Sequence, residues 1–152
     1  MSLICNMIAP DCVLLDLEAG SKEDVIQVLV DVLAKAGHVA DTKLLFKDVM
    51  TREALASTGL GYGCAVPHAH SAALDKTVLA VARLNTALDF NAPDGSPVRL
   101  VFLMAGPKDS AGLHLKLLSK LARLLHDNSL RGQLMDCPSI AVFQKLLCER
   151  DN

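Results

Sequence analysis

Two hydrophobic rhythms alternate along this chain. Val25, Ile26, Leu29, Val32 and Leu33 recur at helical spacing until Gly37, and Ser21-Lys22-Glu23-Asp24 before them resembles a capping box with Asp in the last place. A helix is therefore predicted to open at Ser21 and to stop at Gly37. Asp41 caps a second predicted helix carrying Leu44, Leu45, Val49 and Met50, with Arg52 at or just beyond its end. Asp109 or Ser110 caps a third, whose inner face carries Leu113, Leu117, Leu118, Leu121, Leu124 and Leu125. Two shorter helices are predicted near Leu130 to Met135 and from Ser139 to Cys148.

The other rhythm is that of strands. Cys12 to Leu17, Ala65-Val66, Thr77 to Leu84 and Val98 to Ala105 are apolar or β-branched runs of strand length. The last is nearly continuous, as expected of a central strand buried on both faces. Ala92-Pro93-Asp94-Gly95-Ser96-Pro97 is a turn, and Gly106-Pro107 ends the central strand. Strands and helices alternating around one buried strand predict a layered α/β domain.

Composition narrows the picture. A chain of 152 residues with 51% hydrophobic content suits one domain over residues 1–152 and would starve two of core. The net charge of -2, with no long basic run, leaves no electrostatic footprint for nucleic acid or an anionic membrane. Without Trp, and with Tyr62 the single tyrosine, stacking platforms are lacking, so a small substrate is expected to be held by charge. Cys5, Cys12, Cys64, Cys137 and Cys148 are odd in number and scattered, which predicts reduced core thiols in a cytoplasmic protein. The start lacks the charged opening and unbroken apolar core of a signal peptide, and no stretch suits a bilayer span.

Candidate chemistry concentrates in Gly59-Leu60-Gly61-Tyr62-Gly63-Cys64-Ala65-Val66-Pro67-His68. Alternating glycines let backbone approach a ligand, and Pro67 forces Val66 into an extended conformation, so the His68 imidazole is aimed. Such a loop also serves as a plain turn, with an ordinary half-buried histidine after it. His114 falls in the first turn or so of the leucine-rich helix, where free amides and the helix dipole favour an anion; it also fits a position bordering the core. Arg52 suits a phosphoryl group, because guanidinium binds phosphate oxygens as a bidentate fork, and equally suits a helix C-terminus.

Arg52-Glu53, Ser57-Thr58-Gly59, Gly61-x-Gly63-x-Ala65-Val66-Pro67-His68, and His114-Leu115 with Leu118, Leu121, Ala122 and Leu125 are together similar to a known family. The chain resembles the enzyme IIA domain of the fructose/mannitol class of the bacterial phosphoenolpyruvate-dependent phosphotransferase system, from about Val13 to Leu147 and including the turn Phe90 to Val98. The resemblance implies a single three-layer α/β domain, a mixed β-sheet with helices on both faces. It also implies that His68 accepts a phosphoryl group from the phosphocarrier protein HPr, supported by Arg52 and His114. Many carbohydrate-specific members carry Glu where this chain has Tyr62, a residue expected to tune the histidine pair. Regulatory members often have Lys at the position of His70. Both features, and a chain with no fused membrane part, point to the nitrogen-regulatory, PtsN-like branch.

The expected mechanism is in-line attack by His68 on a donor phosphohistidine. Arg52 and His114 hold the equatorial oxygens, with Ser57, Thr58, Gly63 and His70 as supporting phosphate-binding groups. No metal or other cofactor is expected, and no P-loop points to a nucleotide donor. The acceptor is a regulatory target protein or, alternatively, a sugar permease. From another class of chemistry, His68, His70 and His114 are candidate zinc ligands of a hydrolase, though no carboxylate stands at ligand spacing beside them.

Overall fold

The computed structural model describes residues 3–151, so residues 1, 2 and 152 of the expected single domain lie outside the described residues. A six-stranded mixed sheet is built from β1 (Ile8–Leu17), β2 (Gly59–Gly61), β3 (Cys64–Ala65), β4 (His68–His70), β5 (Val78–Leu88) and β6 (Val98–Gly106). Its order is β1-β5-β6-β3-β2, and β4 continues along the same edge of β6 as β3. β1 runs parallel to β5, β3 and β4 run parallel to β6, and the β5–β6 and β2–β3 pairs are antiparallel.

Strand alternation divides the core into two layers. Val101, Leu103 and Ala105 of β6, with Ala80, Ala82 and Leu84 of β5, face α1 (Lys22–Lys35) and α2 (Thr42–Leu55), which contribute Ile26, Leu29, Leu33, Leu45 and Val49. Leu100, Phe102 and Met104, with Leu79 and Val81, face α3 (Ala111–His126), α4 (Asn128–Asp136) and α5 (Ile140–Arg150) through Leu117, Leu121, Leu125, Leu130, Phe143 and Leu147. The central strand is thus buried on both faces, as its apolar run predicts, and helices cover both sides.

Local signals set the helix ends. The Ser21 hydroxyl accepts from Asp24 N at 3.1 Å, Asp41 Oδ1 accepts from Leu44 N at 3.1 Å, and Gly37 follows α1 with φ of 87°. Arg52 lies inside the last turn of α2, not beyond it. β1 starts at Ile8, four residues before the predicted strand, and carries Pro10 at the sheet edge, where its missing N–H costs no ladder bond.

The expectation of five reduced cysteines is corrected. Cys5 and Cys148 form a disulfide with Cα atoms 5.2 Å apart, while Cys12, Cys64 and Cys137 are free and buried. The pair is separated by 143 residues, and only the packing of α5 against the start of β1 brings it together. Beside it, buried Asp151 accepts from Cys5 N at 3.0 Å and pairs with Lys120 Nζ at 3.0 Å. Among the described residues, no helix is long and apolar enough to cross a membrane.

Candidate active site

Four elements converge at the C-terminal end of β6. The ladder places His68 opposite Met104 and His70 opposite Gly106. α2 delivers Arg52 from its last turn, and α3 delivers His114 from its first. An open cleft of about 410 Å³ is lined by Asp48, Thr51, Arg52, Leu55, His68 and His70.

The Val66-Pro67 pair aims His68. Pro67 O accepts from Met104 N at 3.0 Å, tying the dipeptide to the central strand, and Val66 O lies 2.8 Å from His68 Nδ1. A carbonyl only accepts, so Nδ1 carries the proton and Nε2 keeps its lone pair. Burial lowers the pKa of His68; the bond to Val66 opposes this, the charge of Arg52 reinforces it, Glu53 opposes and His70 reinforces. The ring is therefore neutral near pH 7, with a lone pair on Nε2.

His114 is 2% exposed, and burial first, then the neighbouring His70 and His68, push its pKa down to about 4. Its ring lies against that of His70, centroids 4.2 Å apart and planes tilted by 55°. His114 Nδ1 and Nε2, His70 Nε2 and Thr77 Oγ1 are four of the five buried side-chain polar atoms without a hydrogen-bond partner among the described residues. Buried polar groups are rarely left unpaired, and here they gather in one polar cluster at the end of β6. Among the described residues, no group of three or more His, Cys, Asp or Glu side chains is arranged to hold a metal ion.

Arg52 Nη1 donates to Ala56 O at 3.2 Å, which turns the side chain along the helix end beside the cleft. The adjacent Glu53 is buried and accepts from Thr58 N at 3.1 Å, Thr58 Oγ1 at 2.6 Å and Lys22 Nζ at 3.2 Å. This fixes the chain's exit from α2. It also engages the Thr58 hydroxyl, while the Ser57 hydroxyl donates to Phe90 O and accepts from Gly59 N. Both hydroxyl protons are thus engaged within the loop and its neighbours.

The glycine loop also lies apart from the histidines. Tyr62 and Gly63 have φ of 58° and 80°, the two-residue hairpin turn of type I′ joining β2 and β3. A side chain on Gly59 would put its Cβ 2.8 Å from Ala92 Cβ, and one on Gly61 would lie 2.9 Å from Asp94 Oδ2. The glycines accommodate the Ala92–Pro97 turn. Gly63 O accepts from Leu100 N at 3.1 Å, whereas His68 lies opposite Met104. Four residues of strand at about 3.3 Å each separate them by roughly 13 Å. Tyr62 faces away, with Arg131 4.4 Å from its ring centroid and His126 ring 5.4 Å off. A Glu at position 62 would stand too far from the histidine pair to tune it by contact, which corrects the expectation for that position.

Residues 6–149 match the family described as Phosphoenolpyruvate-dependent sugar phosphotransferase system, EIIA 2. The chain belongs to this family. It is 37% identical over 133 residues to the nitrogen regulatory protein of Bradyrhizobium diazoefficiens, covering 86% of this chain and 85% of that one. It is 35% identical over 148 residues to the fructose-specific EIIABC component of Bacillus subtilis, covering 97% of this chain but only 23% of that protein's length. The crystal structure of nitrogen regulatory protein IIA-Ntr from Neisseria meningitidis matches with a TM-score of 0.90 at 34% identity, covering 96% of this chain and 99% of that one. The EIIA domain is a phosphocarrier, a phosphotransferase-system component that moves phosphoryl groups through a histidine. The three-layer mixed fold expected from the sequence is the fold of these relatives. The anchoring role of Glu53 showed in the sequence only as an acidic residue after Arg52.

Proposed function

We propose that His68 is the phosphoryl-accepting histidine, with Arg52 and His114 as its supports and His70 as the neighbour that orients His114. The single observation that carries this reading is the bond from His68 Nδ1 to Val66 O, which leaves a neutral Nε2 with its lone pair beside the Arg52 cleft. Nε2 attacks the phosphorus of a phosphohistidine on an HPr-type donor. The new N–P bond forms as the donor's N–P bond breaks, and the donor imidazole leaves with the electron pair. Positive charge that develops on the His68 ring is met by the Val66 carbonyl. Arg52 neutralises equatorial oxygens, and neutral His114 donates one N–H without adding charge.

The chain acts as a single EIIA domain over residues 1–152, in the cytoplasm, and its phosphorylation state regulates a target protein. The nitrogen regulatory relative from Bradyrhizobium, matched over most of both chains, supports the regulatory assignment. Similar identity to the fructose-specific relative favours a second reading, delivery of phosphate to a sugar permease. Incubation with phosphoenolpyruvate, enzyme I and HPr tests the chemistry. One acid-labile phosphoryl group is expected by intact mass, absent in His68→Ala. Labelling of that variant at the wild-type rate rejects the assignment, and passage of the label to a fructose or mannitol permease domain decides for sugar transport.

A further inference from the structure

Thr77 immediately precedes β5, and the ladder pairs its neighbour Val78 with Ala105, so Thr77 stands beside Gly106 at the end of β6. It is 7% exposed, and its hydroxyl is buried with no partner. The space beside Gly106 explains where that hydroxyl points. A Cβ built on Gly106 would collide with Thr77 Oγ1, lie 2.5 Å from His114 Nε2 and lie 3.0 Å from Ser110 Oγ. Ser110 does not cap α3 as its sequence position predicts, because its hydroxyl is already engaged, donating to Pro107 O at 2.5 Å. Two unpartnered buried atoms, Thr77 Oγ1 and His114 Nε2, therefore converge on the gap that the missing side chain leaves.

A neutral imidazole has one donor and one acceptor nitrogen, and what the acceptor meets decides which nitrogen is protonated. If Nε2 held the proton, Nδ1 would present a lone pair, useless to an anionic oxygen. We propose that Thr77 is a positioning residue for His114: its hydroxyl donates to Nε2 once the phosphoryl group is bound, and so holds the ring proton on Nδ1 as the donor to a phosphoryl oxygen. This rests on the assignment of His68 as the phosphorylated residue. Gly106 is part of the device, because any side chain there would separate the two groups.

The test compares Thr77→Val, which keeps shape and removes the hydroxyl, with Thr77→Ser, which keeps the hydroxyl. Transfer from phospho-HPr is timed, and the ¹⁵N shifts of His114 are read in histidine-labelled protein before and after phosphorylation. Wild type and Thr77→Ser are expected to show the Nδ1–H form in the phosphorylated state. Thr77→Val is expected to show mixed tautomers and about tenfold slower phosphorylation, the scale of one lost hydrogen bond in a transition state. Wild-type tautomer and rate in Thr77→Val overturn the proposal, as does slower transfer with an unchanged His114 spectrum. Should Thr77→Val fail to fold, Thr77→Ala against Thr77→Ser asks the same question. Labelling of His68→Ala overturns the underlying assignment; loss of labelling there, with Thr77→Val behaving as wild type, overturns only the role of Thr77.

Discussion

Replacing Glu53 by alanine removes the carboxylate that closes the α2–β2 connection. The carboxylate is 2% exposed and receives two bonds from Thr58 and one from Lys22, whose side chain is 15% exposed. Its loss strands the Thr58 N–H and hydroxyl in a buried position, at about 1–3 kcal/mol each. Lys22 retains a route to water, which limits its own contribution. The expected total is roughly 3–5 kcal/mol, the scale of breaking a buried ion pair, against a total stability of about 5–15 kcal/mol. For a chain of this size that lowers Tm by roughly 10 °C. Lys22→Met leaves both Thr58 bonds in place but strands the buried carboxylate without its cation, a loss on the same scale of roughly 3–5 kcal/mol. Urea titration followed by circular dichroism measures both. Because Arg52 occupies the same helical turn, Glu53→Ala kept below its Tm also phosphorylates more slowly. A stability loss under about 1 kcal/mol would refute the view that this carboxylate anchors the turn.

Other outcomes follow from the same structure. Below the ordinary histidine value of 6.5 the unfolded chain takes up a proton that His114 in the fold refuses until about pH 4. Stability therefore falls as pH drops from 6.5 to 4, by about 3 kcal/mol from His114 with His68 acting in the same direction, and His114→Asn flattens this slope in urea midpoints measured across that range. A slope unchanged in that variant removes His114 as its source. Asp94 and Asp127, lowered by backbone N–H bonds, lose their contribution only below the carboxylate value of 3.8, outside this window. Gly106→Ala drives a methyl into Thr77 and His114 and is expected to cost about 1–3 kcal/mol and most of the phosphorylation rate. Gly112→Ala, with open space around the new methyl in α3, is the control and leaves labelling intact. Opening the Cys5–Cys148 disulfide with dithiothreitol lowers stability by about 2–5 kcal/mol through the long loop it closes, while phosphorylation continues. A Tm indifferent to reductant, in protein whose disulfide is confirmed by mass, rejects the clasp as a stabilising element.

What was legible in the sequence was local. Ser21 and Asp41 each accept a bond from the first turn of the helix they cap, and the apolar run of β6 needs no partner to announce burial on both faces. What was hidden depends on residues far apart in the chain. The three residues of β4 have no periodicity of their own, and only the ladder to β6 makes them a strand. Glu53 reads as a surface charge until Lys22, 31 positions earlier, is found against it. Thr77 reads in sequence only as the head of a strand, and its closeness to His114 shows only around the bare Gly106.

The glycine-rich stretch makes the same point at close range. In sequence, Gly59 to His68 reads as one device, a flexible loop that brings backbone to a ligand and a histidine to react with it. The fold divides it in two. Gly59 to Gly63 forms a hairpin against the Ala92–Pro97 turn, and Val66-Pro67 then carries the chain along β6 to set His68 beside its far end. Val66, which Pro67 biases toward an extended conformation, is the part that acts on His68, because its carbonyl accepts from Nδ1 and leaves Nε2 unprotonated. Pro67 ties the approach to His68 onto the central strand, while Gly59 and Gly61 pack against Ala92 and Asp94. Five residues of separation along an extended chain suffice to move a glycine loop out of the site that its neighbour serves.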